Sequence, residues 1–298
     1  MLVQNQRNMD NSWWFTAEDK WKDKKTGKFL SDWDIQINYG IKTGFNDAFI
    51  ITTEKRDEIL SRCKDEQERE LTGKLIRPIL RGRDISRYSY QWANLWLIAT
   101  FPSRQYDIDD FPAVKQHLIS FGKERLEQSG KEYIVNSQRV KSRKRTNNKW
   151  FEVQDSISYW EDFDKPKIAW GNLNVQGSYV IADEEFYINA PSPIIVPASS
   201  YLLGALNSKV ADYYIRQLGV TRNGGYFEYK PMFVEKIPIP DVSNATTREI
   251  ETLVDRILAA KKANPLADTT AEEREIDRLV YDLYGLTEDE IAIVEGTI

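Results

Sequence analysis

DWDIQINYGIKTGFNDAFIITT, residues 32–53, reads as strand, tight glycine loop, strand, and the rest of the chain is organised around it. Ile35 and Ile37 alternate with polar residues, the pattern of a half-buried strand, and Ala48 to Ile51 is a short apolar run. Gly40 and Gly44 bracket Ile-Lys-Thr, and glycine at both ends lets the backbone take positive φ and approach a partner closely. Lys42 and Thr43 at the tip are donors suited to phosphate or base edges. The segment is not a nucleotide-binding loop. That motif places its lysine after the second glycine and opens a helix, whereas here Lys42 precedes Gly44 and a strand is expected to follow.

Working outward, Glu54–Glu70 is charged and helix-permissive, anchored by Ile59 and Leu60. In KLIRPILRGRDISRY (Lys74–Tyr88), Pro78 denies a regular helix and Gly82 marks a turn between Arg81 and Arg83. Leu95–Ala99 is a candidate strand. Phe111–Gln128 is expected to be helical, with Pro112 in its first turn, Val114, Leu118, Phe121 and Arg125 at helical spacing, and Gly130 as a stop. Lys167–Trp170, Ser178–Ile181, Phe186–Ile188 and Ile194–Val196 read as short strands punctuated by Gly and Pro. Ser199–Leu218 is a second expected helix. The flexible loop Arg222-Asn223-Gly224-Gly225 and a segment ending in two prolines, Pro238 and Pro240, follow.

Three divisions result: a polar lead-in (1–31) containing Trp13, Trp14 and Trp21, a body (32–240), and an acidic helical tail (241–298). The lead-in looks like a point where a longer protein was cut. In the tail, Thr246-x-x-Glu249, Thr270-x-x-Glu273 and Thr287-x-x-Glu290 are capping-box patterns. Two apolar stripes, Ile250, Leu253, Val254, Ile257 and Ile276, Leu279, Val280, Leu283, predict a helical hairpin packed stripe to stripe, with a short third helix. The fold class expected is α+β (mixed α/β), a sheet with packed helices followed by that hairpin.

Bulk properties narrow the function. One cysteine, Cys63, excludes an internal disulfide framework and fits a reducing cytoplasm. One histidine, His117, leaves little room for His-based zinc sites or a Ser-His-Asp triad, and its place in an expected helix points to a structural role. There is no signal-peptide-like core and no run near the ~18 apolar residues of a membrane helix, so no membrane partner is expected. The net charge of −5 conceals an asymmetry. Residues 241–298 hold 6 Lys+Arg against 14 Asp+Glu, whereas residues 1–240 hold 35 against 32, a mildly basic body.

That basic charge is clustered. RVKSRKRTNNK (Arg139–Lys149) carries six cations and no acid: Arg139, Lys141, Arg143, Lys144, Arg145 and Lys149. Asn147 and Asn148 lie inside it and Trp150 and Phe151 close it. Charge runs are usually solvated faces, but Lys and Arg also attract nucleic acid through counterion release. Arg suits guanine edges and Asn suits adenine edges. Trp150 is the tryptophan placed nearest a ligand. Arg77, Arg81, Arg83 and Arg87 form a second cluster, with Asp84 at hand as an internal partner for Arg81 or Arg83, and Arg222 and Asn223 a weaker third. The acids Asp107, Asp109, Asp110, Asp162 and Asp164 leave a Mg²⁺-dependent nuclease as a rival. A protein-interaction module that docks a partner through the tail is another.

Two motifs, GIKTGFNDAFII (40–51) and LIRPILRGRDISRY (75–88), resemble the TaqI-like C-terminal specificity domain of DNA methyltransferases and type IIG restriction-modification enzymes. FPAVKQHL (111–118), KWFEVQ (149–154), KPKIAW (165–170), YLLGALNSKVADYY (201–214) and EKIPIP (235–240) follow in the family's order, covering roughly residues 30–240. The resemblance implies a target recognition domain that reads double-stranded DNA beside a methyltransferase domain, in cis or in trans. That other domain would flip an adenine and methylate its exocyclic amine with S-adenosylmethionine. This chain has no Asn-Pro-Pro-Tyr-type motif and no glycine-rich S-adenosylmethionine motif, so it is expected to be non-catalytic and to need no cofactor of its own. The parent protein would be an adenine-specific methyltransferase, with endonuclease activity an added option.

Overall fold

The computed structural model describes residues 27–219, 221–241 and 245–297. Trp13, Trp14 and Trp21 of the lead-in fall outside them. The strands, in chain order, begin with β1 (Gly27–Phe29), β2 (Gln36–Tyr39), β3 (Ile50–Thr52), β4 (Ile76–Leu80), β5 (Ile85–Ser86), β6 (Ser89–Tyr90) and β7 (Leu95–Ile98). They continue with β8 (Glu132–Val135), β9 (Gln138–Lys141), β10 (Lys167–Trp170), β11 (Leu173–Asn174), β12 (Tyr179–Ala182), β13 (Tyr187–Ile188) and β14 (Pro193–Val196). Last come β15 (Thr221–Arg222), β16 (Tyr226–Glu228) and β17 (Pro238–Pro240). The mixed helix-and-strand class expected from the sequence is the one observed.

A four-stranded antiparallel sheet, ordered β12-β10-β14-β2, divides two hydrophobic cores. Side chains alternate across a strand, so β10 sends Ile168 and Trp170 into one core and Ala169 into the other. Likewise Ile195 of β14 faces one core, and Ile194 and Val196 face the other. Burial on both faces explains why these strands read as continuous apolar runs. The first core also contains a second sheet, β13-β4-β7-β3, in which β13 is parallel to β4 and the other pairings are antiparallel.

The opening stretch departs from a simple strand-loop-strand. Its two strands belong to different sheets, β2 pairing with β14 and β3 with β7. A helical turn, Asn46–Phe49, precedes β3 and places Ala48 and Phe49 in the first core. Two expected helices are also divided. Phe111–Gln128 becomes Pro112–Ile119 and Lys123–Leu126, parted at Gly122, whose φ of +84° lies outside the helical region. Ser199–Leu218 becomes Ser200–Asn207 and Lys209–Leu218 because Ser208 is extended and its hydroxyl caps the second helix by accepting from Ala211 N–H.

The tail forms helices Ala245–Ala263, Thr270–Tyr284 and Glu288–Glu295. The Thr287–Glu290 capping box is present, but the second helix begins one residue earlier than its pattern suggested, with Thr269 at its N-cap. The two apolar stripes do not pack only on each other. They join the Ser200–Asn207 helix in the second core, where Gly204 lets Ile250 and Val254 approach: a Cβ there would lie 2.8 and 2.9 Å from their methyl carbons. Among the described residues no helix is long and apolar enough to cross a membrane.

Candidate nucleic-acid interface

Gly40 hydrogen-bonds through its N–H to Ser192 O at 2.7 Å, and Ile41 N–H to Ile188 O at 2.7 Å. A Cβ at Gly40 would stand 2.5 Å from Ile188 O, so close approach rather than positive φ demands glycine there. Gly44 is the position with positive φ, +76°. Ile41 is fully buried between them, and Lys42 O accepts from Gln154 N–H at 3.0 Å. Thr43 is also buried. Its hydroxyl donates to Asn46 Oδ1 at 2.6 Å and accepts from Phe45 N–H, which closes the turn and withholds the side chain from a ligand. Thr43 is therefore corrected from a contact candidate to a turn-forming residue, while the Lys42 side chain remains exposed.

The basic run separates into two kinds of residue. Arg143 is buried, and its guanidinium donates to four main-chain carbonyls: Leu126, Thr43, Glu152 and Trp150, each at 2.8 Å. Burial, with Arg125 adding to it, pushes its pKa down to about 10. Arg143 is corrected from a DNA contact to a clamp. Asn148 is likewise engaged, its amide donating to Val153 O and Gln154 O. Arg139, Lys141, Lys144, Arg145, Asn147 and Lys149 are exposed, and Trp150 is half-buried with its ring edge against Phe151.

Arg139 and Lys141 stand on a two-stranded ribbon, β8 paired with β9, which the sequence did not disclose. Asn136 and Ser137 both have positive φ, the type I′ geometry that matches strand twist in a two-residue hairpin. Lys131, Asn136 and Gln138 are exposed along it, and Ile134 is 80% exposed. The Asn-Ser pair within YIVNSQRV was the available signal. Arg143, two positions past β9, links the basic run to the glycine loop through Thr43 O. Burial raises the pKa of the Asp155 carboxyl, against the opposing influence of the Lys42 and Lys144 charges.

Arg81 grips Asp84 with two side-chain hydrogen bonds, at 3.0 and 2.7 Å, while Arg83 is exposed. Between them a Cβ on Gly82 would lie 2.8 Å from Ser192 Oγ, beside the carbonyl that abuts Gly40, and 3.5 Å from Gly171 Cα. Asn172 O, next in chain, accepts from Tyr229 N–H, and β11 pairs with β16. On the adjoining strand, Arg222 is held by the carboxylate of Glu228 and Asn223 is exposed. Three acids of the nuclease alternative are held in ion pairs: Asp109 with Lys115, Asp162 with Lys165, Asp164 with Arg77. Among the described residues no group of three His, Cys, Asp or Glu side chains is placed to hold a metal ion. His117 contacts Ala48 O at 3.0 Å and packs edge-on against Phe121, a structural role.

A family model for the TaqI-like C-terminal specificity domain matches residues 77–239. The chain belongs to this family of specificity domains. It is 23% identical over 269 residues to the type II methyltransferase M.BstVI of Geobacillus stearothermophilus, covering 88% of this chain and 41% of that protein. Among solved structures, the type IIL restriction-modification enzyme MmeI in complex with DNA shares the fold, with a TM-score of 0.63 and 15% identity over 90% of this chain and 35% of that one. The type IIG restriction endonuclease BpuSI aligns at a TM-score of 0.49 and 11% identity over 90% of this chain and 32% of that one. The chain thus spans well under half the length of these relatives.

Proposed function

We propose that residues 32–240 read the sequence of duplex DNA without catalysing a reaction, and that the acidic helices of 241–298 complete the same folded unit. A methyltransferase domain, in cis or in trans, supplies the S-adenosylmethionine chemistry on an adenine, and any cleavage activity also resides outside this chain. The observation that carries the reading is the exposed cationic β-ribbon running into the Lys144–Lys149 loop, with Lys42 exposed on the glycine loop that Arg143 joins to it. The major groove admits a two-stranded ribbon of this kind. Arg139, Lys141, Lys144, Arg145 and Lys149 then contact phosphates and position the ribbon, while Asn147, Asn136 and Gln138 are at hand for base edges. Arg83 and Asn223, both exposed, are further candidates, and Trp150 packs against Phe151 at the end of the loop.

Fluorescence anisotropy with labelled duplex DNA, repeated over a salt series, tests this. Replacing Arg139, Lys141, Lys144 and Arg145 together by Ala is expected to lower the magnitude of the log-affinity versus log-salt slope by about 3–4, near 0.9 per lost phosphate contact. An unchanged slope in a folded variant would remove the ribbon from the interface. Arg143 is left intact in this variant because it holds the loop in place.

A further inference from the structure

A cavity of about 280 Å³ lies between the end of the Glu66–Leu75 helix and the Trp160–Asp164 turn. Its walls include the rings of Phe101, Tyr106, Trp160 and Tyr187, and three cations line it: Lys74, Arg77 and Arg104. The single acid there is Asp164. The cations are arranged face-on to rings, Arg104 at 3.9 Å from the Trp160 centroid and Arg77 at 5.1 Å from that of Tyr187. Asp164 Oδ1 fixes this geometry by accepting from Arg77 Nη2 at 3.2 Å and from the Tyr187 hydroxyl at 2.9 Å. Arg77 Nε is buried without a hydrogen-bond partner, a group that carries a free-energy cost until an acceptor arrives.

Flat aromatic walls suit a planar ring, and the Arg104 guanidinium, left over once Arg77 pairs with Asp164 and Lys74 with Glu70 at 2.6 Å, suits an anion attached to it. The Trp160–Asp164 turn is also tied to the strand that leads into the glycine loop. Tyr159 hydroxyl donates to Tyr39 O at 3.0 Å, and Asn38 Nδ2 donates to Asp162 Oδ2 at 3.2 Å. We propose that this pocket holds one nucleotide unit, its base among the rings and its phosphate at Arg104. The unit is either a free nucleoside monophosphate or an unstacked nucleotide of bound DNA; the second source rests on the DNA-recognition reading above.

Two probes separate the sources, both with the full chain. Calorimetric titration with each deoxynucleoside monophosphate is expected to saturate if free nucleotides are the ligand, with roughly tenfold weaker affinity in Arg104→Ala and Trp160→Ala. Arg104 is exposed, so its replacement keeps the fold and far-ultraviolet circular dichroism verifies this. The second probe is a duplex bearing a fluorescent purine analogue opposite an abasic site. If DNA is the source, its emission changes on binding, and the change disappears in the same variants while duplex affinity persists. Duplex binding with neither response overturns the pocket and leaves DNA recognition standing. Absence of duplex binding in the wild type strikes the recognition reading instead, and the monophosphate titration alone then decides the pocket.

Discussion

Arg143 Nη1 donates to the carbonyl oxygen of Thr43 at 2.8 Å, joining the basic run to the glycine loop across one hundred positions of sequence. The same guanidinium satisfies three other buried carbonyls, so its removal leaves several acceptors without donors. Arg143→Ala is expected to cost about 3–5 kcal/mol in urea denaturation, in the range of a broken buried polar network. Arg143→Lys recovers only part of this, because an ammonium lacks the planar fork that reaches several carbonyls at once. The neighbouring exposed Lys144→Ala should stay within about 0.5 kcal/mol of wild type. Equal small losses at both positions would refute the clamp.

Much of this architecture is written locally. β10, β12, β13 and β14 were legible as apolar runs bounded by Gly and Pro, and the tail's stripes as period-3.6 helices. What could not be read depends on distant partners. Nothing within Arg139–Lys149 distinguishes Arg143 from Lys144; the distinction comes from the carbonyls of Leu126, Thr43, Trp150 and Glu152 surrounding one side chain. Thr43 is hidden from a sequence reading for the same reason, since its hydroxyl turns inward to Asn46. Ser208 divides a stretch of continuous helical periodicity because a local cap competes with propagation, a choice periodicity does not register.

The glycines of the opening stretch and of the Glu66–Leu75 helix should respond in opposite directions to alanine. At Gly40 a methyl meets main-chain atoms, Ile188 O at 2.5 Å and Ser192 O at 2.7 Å, so relief requires parting β2 from β14. Gly40→Ala is expected to lose about 1–3 kcal/mol, the usual cost of overpacking. At Gly73, inside the helix, an added Cβ meets nothing within 4 Å. Gly73→Ala should gain roughly 0.5–1 kcal/mol from helix propensity. Thermal melts of the two variants beside wild type check both signs.

Gly204 predicts how firmly the tail is held. A methyl there would stand 2.8 Å from Ile250 Cγ2 and 2.9 Å from Val254 Cγ2, and Ser200 Oγ donates to Asp255 Oδ1 at 2.6 Å on the same helix pair. Tyr284 hydroxyl further ties the second tail helix to Pro238 O at 2.6 Å. Gly204→Val is expected to lower stability by about 1–3 kcal/mol. Deleting residues 241–298 should lower the melting temperature further and raise binding of an apolar dye, as Leu203 and Leu206 lose part of the core they share with the tail. A truncated chain that melts like the whole one would show the tail to be a separate unit.

Lys167 gives the stability a pH dependence of definite sign. Its ammonium lies buried in β10 and donates to Asp183 O and Phe186 O at 2.9 Å each. Burial is the largest influence and pushes its pKa down to about 8 from an ordinary 10.5, against Asp164, Asp183 and Glu184, which raise it. Between those two values the folded chain binds fewer protons than the unfolded chain, so this group's contribution to stability rises with pH across that window. Below it, both states carry the charge and the full burial penalty applies. Lys167→Met removes the titration, so wild-type stability minus variant stability should grow as pH is raised from 8 to 10.5. Taking the difference cancels the buried tyrosines, such as Tyr179, whose raised pKa values act at the alkaline end in both proteins. A difference that stays flat would mean the two carbonyls hold the ammonium charged throughout, making the Asp183–Phe186 turn a cation site rather than a lysine buried at a cost.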